Sequence, residues 1–198
     1  MRQALIIFVR KPELGKVKTR LAATVGNAKA LEIYKDLLLH THAVAEQVKV
    51  DKFIYYHQHT EANDIWSKEG FTKKLQGNGE LGKKMNDAFS ELFNAGYEQI
   101  VIIGSDCLQL QTQIIEDSFT MLGEKDLVIG PANDGGYYLL GMNKMQHFIF
   151  ENKEWSTESV FKQTLEDAEQ HNLSVGLLAE LIDVDTEVDW LLSKPIVS

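Results

Sequence analysis

The sequence predicts an α/β fold: a mainly parallel central sheet with helices on both faces, an α/β/α sandwich. Residues 5–9 and 99–104 are short, continuous apolar runs rich in β-branched side chains, as expected of strands buried on both faces. Segments with helical spacing of apolar residues lie between such runs, an alternation that implies parallel strands joined by crossover helices. Asp106 follows the run at 99–104 and Asp134 follows the later strand that ends at Pro131, and in open α/β sheets ligands bind at the carboxyl ends of strands.

Taken in order, residues 5–9 form the first strand, and Pro12 and Gly15 then impose a loop. A helix begins at Thr19, breaks near Gly26 and Asn27, and resumes with Leu31, Tyr34, Leu38, Ala45 and Val48 on one face. Residues 53–56 are the second strand. An amphipathic piece around Ile65 and Trp66 leads to a third strand at 71–76. After the glycine-rich loop 77–82, Leu81, Met85, Ala88, Phe89 and Leu92 mark the apolar face of a helix. The strand at 99–104 is followed by a helix at 112–121, a strand at 127–129 and a hairpin-like return through 137–140. A helix from Thr157 to about His171, with Ser156 as its cap and Trp155 in the core, precedes a strand at 173–178. A closing helix at 186–192 starts from Thr186 as N-cap, with Asp189 completing a capping box.

No repeat, linker or low-complexity segment interrupts the 198 residues, so residues 1–198 are expected to form one domain. No stretch approaches the roughly 20 apolar residues of a membrane span, and the first residues carry no small-residue cleavage site, which predicts a cytoplasmic protein. The single cysteine, Cys107, excludes a disulfide framework and a cysteine-rich zinc site. A net charge of -9 argues against a nucleic-acid surface. The local exception is the stretch containing Arg10, Lys11, Lys16, Lys18 and Arg20, which suggests a small anionic ligand. Self-association into a homo-oligomer is left open by the sequence.

Asp106 is the leading candidate residue. It hangs a carboxylate off a buried strand, beside Ser105, and precedes the next helix by too many residues to cap it. Asp134, Gly135 and Gly136 form a second loop of the same kind, whose paired glycines permit a ligand to approach the backbone while Tyr137 or Tyr138 packs on it. In the basic loop, a bend at Gly15 can converge Lys16, Lys18 and Arg20 with backbone N–H groups and a helix N-terminus on phosphate oxygens. Neither the P-loop spacing nor the Gly-x-Gly-x-x-Gly of dinucleotide folds is present. Gly79 and Gly82 mark a weaker candidate at a helix entrance. Asp183 and Asp185 share a side of an extended segment, and Asp185, one residue before the Thr186 cap, is favoured as a metal ligand. The pairs His40/His42 and His57/His59 read as surface residues.

The stretches FVRKPELGKVKTRLA, GNGELGKKM, GSDCLQL, GPANDGGYYLLG, WSTESV and DVDTEVDW, in that order, resemble the selenodomain-associated transferases, a family of small Rossmann-like GT-A-fold proteins. The family belongs to the nucleotide-diphospho-sugar transferase superfamily, and its first loop and Asp-Gly-Gly loop are similar to those of 2-phospholactate guanylyltransferase. Leu108 stands where the family usually has proline. The resemblance implies a nucleotide-binding half, a metal aspartate at Asp106 and a second in the region of Asp183 and Asp185. Mg²⁺ or Mn²⁺ is the expected cofactor, Asp106 and Asp185 the expected metal ligands, and Asp106, Lys18, Arg20 and Asp134 the expected catalytic set. The nucleotide is expected to lie against Lys11, Gly15, Lys16, Gly79, Gly82, Ser105, Gly135, Gly136 and Tyr137.

Three functions remain compatible with this reading. The first is a nucleotidyltransferase that joins a nucleoside triphosphate to a phosphorylated, anionic acceptor. The second is a GT-A glycosyltransferase that moves a sugar from a nucleotide sugar to an acceptor hydroxyl, and the third a non-catalytic nucleotide-binding module.

Overall fold

Strand β1 (Gln3–Val9) sends alternate side chains to opposite faces, and this alternation lays out the layers of the computed structural model, which describes residues 1–194. Leu5, Ile7 and Val9 join one core, whereas Ala4 and Ile6 join another. The same division holds along β2 (Asp51–Tyr56), where Ile54 and Tyr56 oppose Phe53 and Tyr55. In β4 (Gln99–Ile103), Val101 and Ile103 oppose Ile100 and Ile102. A strand buried on both faces has no polar side to show, which is why β4 reads as an unbroken apolar run.

Helices cover both faces, as expected. The first core is closed by Tyr34 and Leu38 from α2 (Asn27–Gln47) and by Ile115 and Phe119 from α4 (Thr112–Met121). The second is closed by Met85, Phe89 and Leu92 from α3 (Leu81–Asn94) and by Ala168 from α5 (Val160–Gln170). A smaller cluster joins Leu21 of α1 (Thr19–Val25) to Ile33, Leu37 and Val184, with Trp190 of α6 (Glu187–Leu192) packed on it. With β3 (Phe71–Leu75), β5 (Leu127–Pro131), β6 (Tyr137–Met142) and β7 (Val175–Leu177), the strands form one sheet in the order β3-β2-β1-β4-β6-β5-β7. All neighbours are parallel except β6, which runs antiparallel to both β4 and β5.

The chain winds outward from β1 to β2 and β3, then returns to place β4 on the other side of β1. The reversal opens a crevice between the loops that leave β1 and β4, and such switch points are where open sheets bind ligands. Among the described residues, no helix is long and apolar enough to cross a membrane.

Three local expectations are corrected. Helix α5 begins at Val160 rather than Thr157, because Ser156 adopts a left-handed backbone (φ 66°) and the Thr157 hydroxyl donates to the Glu154 carbonyl, 2.8 Å away, which closes a turn instead of capping a helix. The last strand is three residues long. His42 is buried, not a surface residue: its ring lies 5.2 Å from those of both Trp66 and Phe71, and burial lowers its pKa.

Candidate functional site

The crevice beside β1 and β4 brings together three segments that are distant in sequence. Lys18 sits at the N-cap of α1 with a left-handed backbone (φ 47°) and makes no capping bond. Its side chain, only 7% exposed, points inward, and the ammonium donates to Asp106 Oδ2 at 2.9 Å and to Asp185 Oδ1 at 3.2 Å. Arg20, two positions further along and largely exposed, reaches the other oxygen of Asp185 at 3.2 Å. Four sequence-predicted residues, Lys18, Arg20, Asp106 and Asp185, thus form one charge network at the switch point.

The network sets its own protonation. Burial alone would raise the Asp106 carboxyl, but the Lys18 ammonium outweighs it and holds Asp106 below the usual carboxylate range. Burial likewise works against the Lys18 charge, and Asp106 and then Asp185 overcome it, so its pKa is raised. Among the described residues Asp183 has no such partner. Its Oδ1 is buried without a hydrogen bond, and burial followed by the negative charge of Asp106 pushes its pKa well up.

The Asp134 loop forms the far wall. Asp134 Oδ1 accepts from the Gly136 N–H at 2.9 Å, a tight turn that leaves the side chain at the surface. A side chain on Gly135 (φ 85°) would run into the main chain at Glu158, and the Phe161 N–H donates to the Gly135 carbonyl at 2.9 Å. This close approach clamps the β5–β6 turn against the residues before α5. Between them lies a cavity of about 950 Å³ lined by Arg20, Asn133, Asp134, Ser156, Thr157 and Ser159.

The remaining predicted residues are spread more widely. Ser105 is buried, with its Oγ 3.5 Å from the Tyr34 hydroxyl, and Gly15 lies in the turn before α1. Lys16 is exposed and makes no ion pair among the described residues. Lys11 turns away to Glu61 at 2.9 Å. Gly79 lies under the Lys83 side chain, and the indole of Trp155 fills the space a side chain on Gly82 would need, which accounts for that glycine through packing. Tyr137 packs on the second core with its hydroxyl buried, and Tyr138 is a core residue whose hydroxyl donates to Ala179 O at 2.9 Å.

Sequence reasoning missed two contributors, Tyr34 and Lys84, and named Arg10 only as a member of the basic stretch. Tyr34, which reads as one more apolar position of α2, accepts from the Arg10 N–H at 3.0 Å and approaches Ser105, so it ties the β1 loop to the β4 loop. Arg10 contributes to the depressed pKa of Asp106, and Lys84 of α3 lies 3.1 Å from His57 Nδ1, which extends positive charge along the ends of β1 and β2. Neither is recoverable from spacing, because each depends on side chains converging from different loops.

The fold is shared with known structures. A protein from Desulfovibrio desulfuricans G20, by name a "putative nucleotide-diphospho-sugar transferase", matches with a TM-score of 0.87 and 31% identity over 94% of this chain and 84% of that one. The 4-diphosphocytidyl-2C-methyl-D-erythritol synthase of Anaerococcus prevotii DSM 20548 matches with a TM-score of 0.66 and 12% identity, over 97% of this chain and 94% of that one. Rv0371C of Mycobacterium tuberculosis H37Rv, in complex with manganese, matches with a TM-score of 0.59 and 15% identity over 97% of both chains. No curated protein matches by the same standard of significance. The architecture is therefore the Rossmann-like arrangement of nucleotidyltransferases and GT-A proteins, and the Desulfovibrio protein that shares it carries a transferase name. A family model covers residues 39–157, from the middle of α2 through the Asp106 and Asp134 loops to Thr157, and the chain belongs to the family it describes, "Uncharacterized protein conserved in bacteria (DUF2064)".

Proposed function

We propose that the protein is a metal-dependent nucleotidyltransferase, which joins the nucleotidyl group of a nucleoside triphosphate to a phosphorylated acceptor. The observation that carries this reading is the sharing of one buried ammonium by Asp106 and Asp185 at the switch point. Two carboxylates that converge on a cation offer hard oxygen donors. Among the described residues no three His, Cys, Asp or Glu side chains are grouped so as to hold a metal ion, so the reading rests on one or two carboxylates plus substrate phosphates, the usual way in which Mg²⁺ is held.

In this reading Asp106 and Asp185 would hold the cation, whose charge when bound neutralises the phosphate oxygens. Lys18 and Arg20 lie beside the pair and would orient the triphosphate. An acceptor phosphate oxygen, already ionised, attacks the α-phosphorus in line; the new P–O bond forms as the bond to pyrophosphate breaks, and pyrophosphate leaves with the electron pair. No general base is needed. The similarity of the basic loop and the Asp-Gly-Gly loop to those of 2-phospholactate guanylyltransferase supports the same chemistry.

A glycosyl-transfer reading draws on a different observation: the 950 Å³ cavity places Asp134 among Ser156, Thr157 and Ser159, a lining suited to an acceptor hydroxyl. Thermal-shift screening of nucleoside triphosphates and nucleotide sugars, with and without Mn²⁺, separates the two. Mn²⁺-dependent stabilisation by a triphosphate above any nucleotide sugar is expected, with pyrophosphate released once a phosphorylated acceptor is supplied. Preference for a nucleotide sugar would transfer the assignment to glycosyl transfer.

A further inference from the structure

We infer that Lys18 is a tethered counter-ion: before the donor arrives its ammonium fills the position of the divalent cation, and the incoming cation displaces it toward the polyphosphate. This rests on the assignment of Asp106 and Asp185 as metal ligands. The ammonium touches both carboxylates, at 2.9 and 3.2 Å, and these are its only hydrogen-bond partners among the described residues. The side chain is 7% exposed, so the charge lies inside the crevice rather than at its mouth. An ammonium and a divalent cation cannot share one pair of carboxylates without strong repulsion at such separations.

The exchange has a direction. A divalent cation between Asp106 and Asp185 attracts the two carboxylates more strongly than the singly charged ammonium that it replaces. The released ammonium then needs an anion, and a triphosphate supplies one. Metal and polyphosphate therefore bind synergistically: the first ejects Lys18 and the second receives it.

The test is Mn²⁺ binding without nucleotide, followed by electron paramagnetic resonance, in the wild type, Lys18→Met and Asp106→Asn. Lys18→Met is expected to bind Mn²⁺ alone about tenfold more tightly than the wild type, because its competitor is gone. It should also lose most of the mutual enhancement between Mn²⁺ and a nucleoside triphosphate. Equal or weaker Mn²⁺ binding by Lys18→Met, with Asp106→Asn losing it, overturns the counter-ion role and leaves the metal site standing. Unchanged binding by Asp106→Asn overturns the metal site itself. If Lys18→Met does not fold, hydrogen exchange on the wild type decides. Saturating Mn²⁺ alone should speed exchange of the amides at 16–22 and added triphosphate should slow it again. No change on Mn²⁺ saturation overturns the inference.

Discussion

Val184 donates its backbone N–H to the carbonyl of Asp106 at 3.0 Å, so the loop that leaves β4 and the acidic segment before α6 are held in register by the main chain. This bond between the two segments does not involve the charges of Asp106 and Asp185. Asp106→Asn should preserve this bond and the fold, lose the Mn²⁺-dependent rise in Tm, and cost about 1–3 kcal/mol because the Lys18 ammonium loses a partner. Paired melting curves with and without Mn²⁺ check it; a full Mn²⁺ response in the variant would remove Asp106 from the metal site.

Arg20 is largely exposed, and its contact with Asp185 contributes little to stability. Arg20→Ala is expected to melt close to the wild type while binding a nucleoside triphosphate roughly tenfold more weakly, with nucleoside affinity unchanged. Calorimetric titration with both ligands reads the difference. Equal losses for the two would mean that Arg20 acts through the fold.

Gly135 combines a left-handed backbone with a main-chain neighbour where a side chain would go. Gly135→Ala should destabilise the protein by about 2–4 kcal/mol, since a backbone neighbour cannot rotate away. A denaturation midpoint within error of the wild type would show that the clamp against Glu158 is loose.

Asp64 joins the β2–β3 connection to the sheet by accepting from the Tyr56 hydroxyl, the Trp66 N–H at 3.0 Å and Lys73 at 2.7 Å. Burial works to raise its pKa, but Lys73 and these hydrogen bonds prevail and lower it in the folded state. A depressed folded value means stability that is complete above the unfolded pKa, near 4, and is lost as pH falls toward the folded one. Asp64→Asn should therefore flatten the acid limb of the stability curve below about pH 4, measured as urea midpoint against pH. An unaltered slope there contradicts the linkage.

Cys107 lies between Asp106 and Leu108 with its thiol buried, and burial, reinforced by the negative charge of Asp183, pushes its pKa up to about 12. Iodoacetamide at mildly alkaline pH should leave native Cys107 intact and alkylate it promptly after unfolding. Rapid labelling of the native protein would expose an error in this view of the loop.

The parts of the site that were legible in the sequence are those written in local chemistry. The apolar run at 99–103 fixes a buried strand and hence the place of Asp106, and Thr186 and Asp189 form the expected capping box. The bond between Lys18 and Asp185 joins residues 167 apart, and no local pattern encodes such a pairing. His42 misled for a related reason: polar in a helix, it is buried by Trp66 and Phe71, which arrive from a later segment. Ser156 and Thr157 carry the composition of a helix cap, yet the tertiary clamp at Gly135 decides their conformation and delays the helix to Val160.

Because β6 runs against its neighbours, its first residue lies at the rim and its last, Met142 opposite Leu127, at the far edge of the sheet. The chain must then climb the full height of the molecule again to deliver Ser156 and Thr157 beside Asp134. The turn after Met142 is accordingly moored at the edge opposite the cleft: Asn143 Nδ2 donates to the carbonyls of Leu122 at 3.3 Å and Lys125 at 2.9 Å and Met145 packs on the second core, which leaves Lys144 as its exposed residue.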